Sequence, residues 1–83
     1  MLDRDSVHRE VLLLVAEIAE LPAEKVTPES SFDELGIDSL NGLRIAAEME
    51  RRFGINIPDE VIVKFRSMRD IFALADSYTE KDK

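Results

Sequence analysis

The sequence predicts an all-α fold, a small bundle of three main helices plus one short helix. Apolar residues recur at helical spacing in three separate stretches. Three glycines and three prolines are the main punctuation in 83 residues. The single alternating segment, Ile55-Asn56-Ile57, has no second strand to pair with and so reads as loop.

The first helix is expected from about Ser6 to Leu21. Val7, Val11, Leu14, Val15 and Ile18 fall on one face, and Leu12 and Leu13 widen it. Asp5 or Ser6 can cap its start, and Pro22 stops it. Residues 22–38 read as a long connection. Thr27-Pro28-Glu29 has the form of a cap, a first-turn proline and an acid, which predicts one short helical turn. Val26, Phe32, Leu35 and Ile37 are expected to pin this connection against the helices. Gly36 is expected to end a turn with positive φ.

The second helix is expected from about Ser39 to Arg52, capped by Asp38 and ended by Gly54. Ile45, Ala46, Met49 and Phe53 form its inner face, extended by Leu40 and Leu43. Asp59 to about Val63 or Lys64 is the short helix. Ser67 caps the last helix, with Asp70 completing a variant capping box. Ile71, Leu74, Ala75 and Tyr78 make its stripe, with Phe72 beside them. The chain reads as one domain, 1–83, with its core at about 6–78 and a flexible polar tail at 79–83.

A chain of this length buries only about 60–65% of its unfolded surface, so a large internal active site is not expected. It has no cysteine and a single histidine, His8, read as a solvent-facing or edge residue among charged neighbours. No metal site follows. No run of 18 apolar residues exists, and the acidic start does not resemble a targeting peptide. The reading is cytoplasmic, without membrane insertion. The net charge of −7 repels nucleic acid. Residues 1–38 hold ten acids and three bases. Residues 39–53 hold two acids, Glu48 and Glu50, against Arg44, Arg51 and Arg52. No EF-hand, P-loop or dinucleotide motif is present, and no carboxylate pair stands out as catalytic.

Ser39 remains. It follows a glycine turn and opens a helix in Glu34-Leu35-Gly36-Ile37-Asp38-Ser39-Leu40. A serine there is usually a cap, but Asp38 already offers one. The Ser39 hydroxyl is then free at the positive end of a helix, where a phosphate is favoured by roughly 0.3–1 kcal/mol.

This string resembles the attachment motif of acyl carrier proteins, small four-helix carriers of fatty acid and polyketide biosynthesis. The likeness continues through Val26-Thr27-Pro28-Glu29-Ser30-Ser31-Phe32, through Phe53-Gly54-Ile55-Asn56-Ile57-Pro58-Asp59-Glu60, and into Ser67-Met68-Arg69-Asp70-Ile71. It covers about Val7 to Tyr78. The resemblance implies that Ser39 receives 4′-phosphopantetheine from coenzyme A through a magnesium-using phosphopantetheinyl transferase, with Asp38 and Leu40 beside it. It implies a non-enzymatic carrier that holds acyl groups as thioesters, shields part of the chain between helices and meets acyl-transferring and acyl-processing enzymes. It further implies a monomer. The partner surface would comprise Asn41, Leu43, Arg44, Ala47, Glu48 and Arg51.

Fatty-acid members usually have a strongly acidic second helix, whereas here it is neutral to basic. Surface drift is one explanation; altered partners are preferred. The expected role is a free-standing carrier in a specialised lipid or polyketide-type pathway, with Met1 and the polar ends read as those of a discrete chain. Alternatives are a housekeeping fatty-acid carrier, an aminoacyl or peptidyl carrier (which more often shows Gly-Gly-x-Ser), and a non-carrier helical interaction module. Gly42 either admits the prosthetic arm or a partner's backbone, or is simply tolerated. Ala46 and Ala47 stand where fatty-acid members often have bulkier residues, so extra room for a longer or branched chain is expected beside Ala46.

Overall fold

The computed structural model describes residues 3–79. Three main helices, α1 (Arg4–Ala19), α3 (Ser39–Phe53) and α5 (Met68–Thr79), are joined by connections that hold two four-residue helices, α2 (Phe32–Leu35) and α4 (Asp59–Ile62). No strand occurs among the described residues. The all-α expectation holds, with one more short helix than foreseen. The tail expected at 79–83 lies outside the described residues beyond Thr79, the last residue of α5.

α1 starts earlier than the periodicity suggests. Its cap is Asp3, whose carboxylate accepts from the Ser6 N–H, rather than Asp5 or Ser6. It also ends before Pro22 can act, because Glu20 takes a left-handed conformation (φ 61°) and its N–H bonds back to Ala16 and Glu17. Val7, Val11, Leu14, Val15 and Ala16 are buried. Leu12 is half-buried, but Leu13 is 49% exposed, so the inner face is narrower than expected.

The long connection is folded throughout. A 3₁₀ turn forms at Ala23–Lys25. Thr27-Pro28-Glu29 makes a turn instead of a helix: the Ser30 N–H donates to the Thr27 carbonyl at 3.0 Å, and the Ser30 hydroxyl accepts from the Thr27 N–H. The helical turn forms four residues later, where Ser31 and Glu34 make a reciprocal capping box for α2. Val26, Phe32, Leu35 and Ile37 are all buried, as the pinning argument requires. Gly36 ends α2 with φ 72°.

α3 has the predicted cap, with the Asp38 carboxylate accepting from the Asn41 N–H at 2.9 Å. Its inner face is Gly42, Ile45, Ala46 and Met49. Phe53 is only half-buried, while Leu40 and Leu43 are 68% and 47% exposed. No element covers the first turn of α3 as the amphipathic reading assumed. Beyond Gly54, the Glu50 carboxylate reaches over to accept from the Ile57 N–H at 2.8 Å and fixes the following loop.

α5 begins after Ser67, but the box is displaced by one residue. Asp70 accepts from the Arg66 N–H at 2.8 Å, and the Ser67 hydroxyl accepts only weakly from the Asp70 N–H, at 3.4 Å. The core joins α1, α3 and α5 through Val11, Val15, Ile45, Met49, Met68 and Ile71, all essentially inaccessible. An isolated antiparallel bridge ties the α2 entrance to the α5 entrance: Phe32 N–H donates to the Arg66 carbonyl at 2.8 Å and Met68 N–H to that of Ser30 at 3.0 Å.

Candidate functional site

That bridge forms one wall of an open cleft of about 660 Å³ between α2, the start of α3 and the α4–α5 connection. Phe32, Ile37, Gly42, Leu43, Ile62, Val63 and Phe65 give it an apolar lining, with Asp33, Asp38, Ser39 and Arg66 among its charged and polar lining groups. Phe32, Ile37 and Phe65 are buried, so the walls are firm. Leu43, at 47% exposure, and Val63, at 65%, leave the cleft open to solvent.

Ser39 belongs to this lining and is exposed. It is the first residue of α3, and the Asp38 carboxylate occupies the capping role a serine would otherwise take. Among the described residues the Ser39 hydroxyl has no hydrogen-bond partner. The donor set therefore fits a phosphate-linked group: an available hydroxyl, a helix start that favours an anion, and an apolar cleft beside it. Leu40 is exposed next to Ser39 but does not line the cleft.

The residues expected to meet partners divide between two hollows. Leu43 lines the cleft. Arg44, Ala47, Glu48 and Arg51 line a second, polar hollow between α1 and α3, shared with Glu17, Glu20 and Arg52. Asn41 lines neither and accepts a long hydrogen bond, 3.4 Å, from Arg44. Arg51 and Arg52 both reach Glu48, at 2.5 and 3.3 Å, and Arg52 also approaches Glu10 at 3.5 Å. The hydrogen bond from Arg51 is the largest effect on the Glu48 carboxyl; desolvation opposes it, and the charge of Arg51 with the contacts from Arg52 adds to it, so the carboxyl is held below its usual range. The three arginines are thus less of a basic surface than their count suggests. Among the described residues Arg44 forms no ion pair, so it is the one left to present its charge outward.

Ala46 does not line the cleft; it is packed into the core at 1% exposure. The extra room expected there has been closed by its neighbours. The open position is Gly42, one turn nearer Ser39. The sequence reading also missed Phe65 and Arg66 as cleft residues. Their only sequence signal was an apolar-basic pair just before the last helix, which does not reveal the bridge that turns them toward Phe32.

Comparison with known proteins agrees with this geometry. The sequence profile described as "Phosphopantetheine attachment site" matches residues 9–75. An acyl carrier protein of Thermobifida fusca is 42% identical over 59 residues, covering 70% of this chain and 75% of the relative. A meromycolate extension acyl carrier protein of Mycolicibacterium aurum is 36% identical over 70 residues, covering 83% and 72%. Among solved structures, an acyl carrier protein from Thermotoga maritima superposes with a TM-score of 0.79 at 26% identity, over 96% of this chain and 94% of that one. No described helix is long and apolar enough to cross a membrane. The chain belongs to the acyl carrier proteins, which hold 4′-phosphopantetheine covalently and carry acyl groups to acyl-processing enzymes without being enzymes themselves.

Proposed function

We propose that Ser39 is the attachment residue and that this chain works as a single carrier domain in a specialised lipid pathway, in the cytoplasm. The observation that carries the assignment is the exposed, uncommitted Ser39 hydroxyl at the edge of an apolar cleft, with its helix already capped by Asp38. When attached, the group supplies a terminal thiol that holds an acyl chain as a thioester. Asp38 fixes the first turn of α3 and so the direction of the Ser39 Cα–Cβ bond. The helix start stabilises the phosphodiester charge. Phe32, Ile37, Ile62 and Phe65 offer apolar surface that shelters part of the acyl chain from water.

A phosphopantetheinyl transferase is the first partner, with coenzyme A as donor. The specialised pathway is supported by the relatives named for meromycolate extension and by the mixed charge of α3. Intact-mass measurement after incubation with coenzyme A, magnesium and a broad-specificity transferase tests the site. The wild type should gain one phosphopantetheine. Ser39→Ala should gain none while keeping its helical circular dichroism. Modification persisting in Ser39→Ala would move the attachment elsewhere.

A further inference from the structure

We propose that Gly42 sets how thick an acyl chain this carrier shelters, and that it admits chains branched next to the thioester. The proposal rests on the sheltering role assigned above to the cleft.

Glycine at 42 is not explained by the fold. It lies inside α3, where glycine is one of the worst residues for helix stability. Its backbone is ordinary: positive φ among the described glycines is confined to Gly36 and Gly54, and the Gly42 N–H donates to the Asp38 carbonyl at 2.9 Å as in any helix. Nor does crowding require it. A Cβ built on Gly42 would meet Phe32 Cε2 at 3.9 Å, an ordinary van der Waals contact. Alanine would fit, and the helix would gain. What a side chain would take away is space in the cleft, because Gly42 is buried yet lines it.

The location says which part of a bound chain would use that space. Gly42 follows Ser39 by three residues, about 4.5 Å along the helix axis. It sits just inside the exposed pair Ser39 and Leu43 and shares the lining with Phe32, Ile62 and Phe65. The acyl chain hangs from the far end of the prosthetic arm, so it reaches the cleft only when the arm folds back over the mouth beside Ser39. The tail then enters first and the thioester end stays at that mouth, nearest Gly42. A straight chain is narrow there. A methyl branch on the carbon beside the thioester carbonyl is wide there, and the missing side chain of Gly42 is the space that receives it.

The test uses protein carrying the prosthetic group, loaded with either octanoyl or 2-methyloctanoyl thioester. The readout is the rate of thioester cleavage by hydroxylamine, relative to the same acyl group on free pantetheine. Wild type should protect both chains alike. Gly42→Val should keep protection of octanoyl within about twofold while 2-methyloctanoyl is cleaved about tenfold faster, the scale on which one methyl group is discriminated in an apolar pocket. Gly42→Ala should fall between them, and its unloaded form should melt several degrees above wild type, which separates a filled entrance from a damaged fold. Protection of octanoyl but not 2-methyloctanoyl by wild type would overturn the proposal. Equal effects of Gly42→Val on both chains, or none on either, would overturn it too. A failed sheltering role looks different, with neither chain protected in wild type. Failure of the carrier assignment appears earlier still, as absence of the mass gain at Ser39.

Discussion

The His8 ring lies flat on Phe72, with centroids 4.4 Å apart, and its Nε2 is 2.6 Å from Asp76 Oδ1. Arg4 forks onto the same carboxylate at 3.0 and 3.1 Å. Burial pushes the Asp76 carboxyl up, but the hydrogen bonds and charges of His8 and Arg4 outweigh it, leaving Asp76 below its usual range. A carboxyl lowered on folding stabilises the native state above its unfolded pKa, about 3.9, and loses that contribution as pH falls through the lower folded value. Asp76→Asn should therefore lower the melting temperature near neutral pH, and the two proteins should converge below about pH 4. Thermal melts over a pH series check this; a gap unchanged down to the acid end would contradict it. The edge position of His8 was legible from its charged neighbours. Its partner was not, because Asp76 is 68 residues away and nothing in the sequence pairs the two. The hydrogen bond from Tyr78 to the Asn56 carbonyl, at 2.7 Å, was hidden for the same reason.

At the scale of elements, caps decide where helices begin, and for some helices the sequence offered more than one. Around α1, Asp3, Asp5 and Ser6 all qualify, and the structure uses the outermost. Before α3, Thr27-Pro28-Glu29 competed with Ser31-Phe32-Asp33-Glu34. The second wins because its turn buries Phe32 and Leu35 together, whereas Pro28 and Glu29 stay exposed. The Ser-x-x-Glu signature was present in the sequence and is the signal that could have found α2. The cap of α3 had no rival. Asp38→Ala should cost about 0.5–2 kcal/mol, a fall of several degrees in melting temperature for a domain of this size. Asp38→Ser restores a capping oxygen without charge and should recover most of that loss. If modification of Ser39 stays slow in the serine variant despite the recovered stability, the transferase reads the charge of Asp38 as well as its geometry. Core depth was legible where helices cross and poor at their ends. Met49 is inaccessible, but Phe53, one turn on, is only half-buried. Phe53→Ala should therefore cost about 1–3 kcal/mol, below the ~3–5 of a fully buried phenylalanine. Chemical denaturation distinguishes the two.

For the molecule as a whole, charge and shape meet at the start of α3. The chain is strongly acidic at −7, yet the apolar residues exposed near the cleft, Leu40, Leu43 and Val63, stand close to a helix carrying three arginines. Two of these arginines are compensated within the fold, Arg51 by Glu48 and Arg52 by Glu48 and Glu10. The surface expected to meet partners is therefore an apolar patch beside Arg44, the one arginine of α3 without an ion pair among the described residues, instead of a basic helix. Carrier docking is brief, and charge matching sets its on-rate and specificity more than its affinity. An enzyme whose docking site is built of arginines and lysines for an acidic helix meets repulsion at Arg44. A cognate enzyme should carry an acidic group opposite Arg44 and an apolar shelf for Leu40 and Leu43. Arg44→Glu combined with Asn41→Asp should improve turnover by housekeeping fatty-acid elongation enzymes and reduce it with the cognate enzyme. Both changes should shrink as salt rises, because exposed charges farther apart than about 8–10 Å are screened at ordinary ionic strength. Leu40→Ala should weaken docking to the cognate enzyme with little salt dependence, since it removes apolar contact and no charge. If the unaltered carrier serves housekeeping elongation enzymes as well as their own carrier does, Arg44 does not select partners, and the specialised pathway gives way to ordinary fatty-acid synthesis.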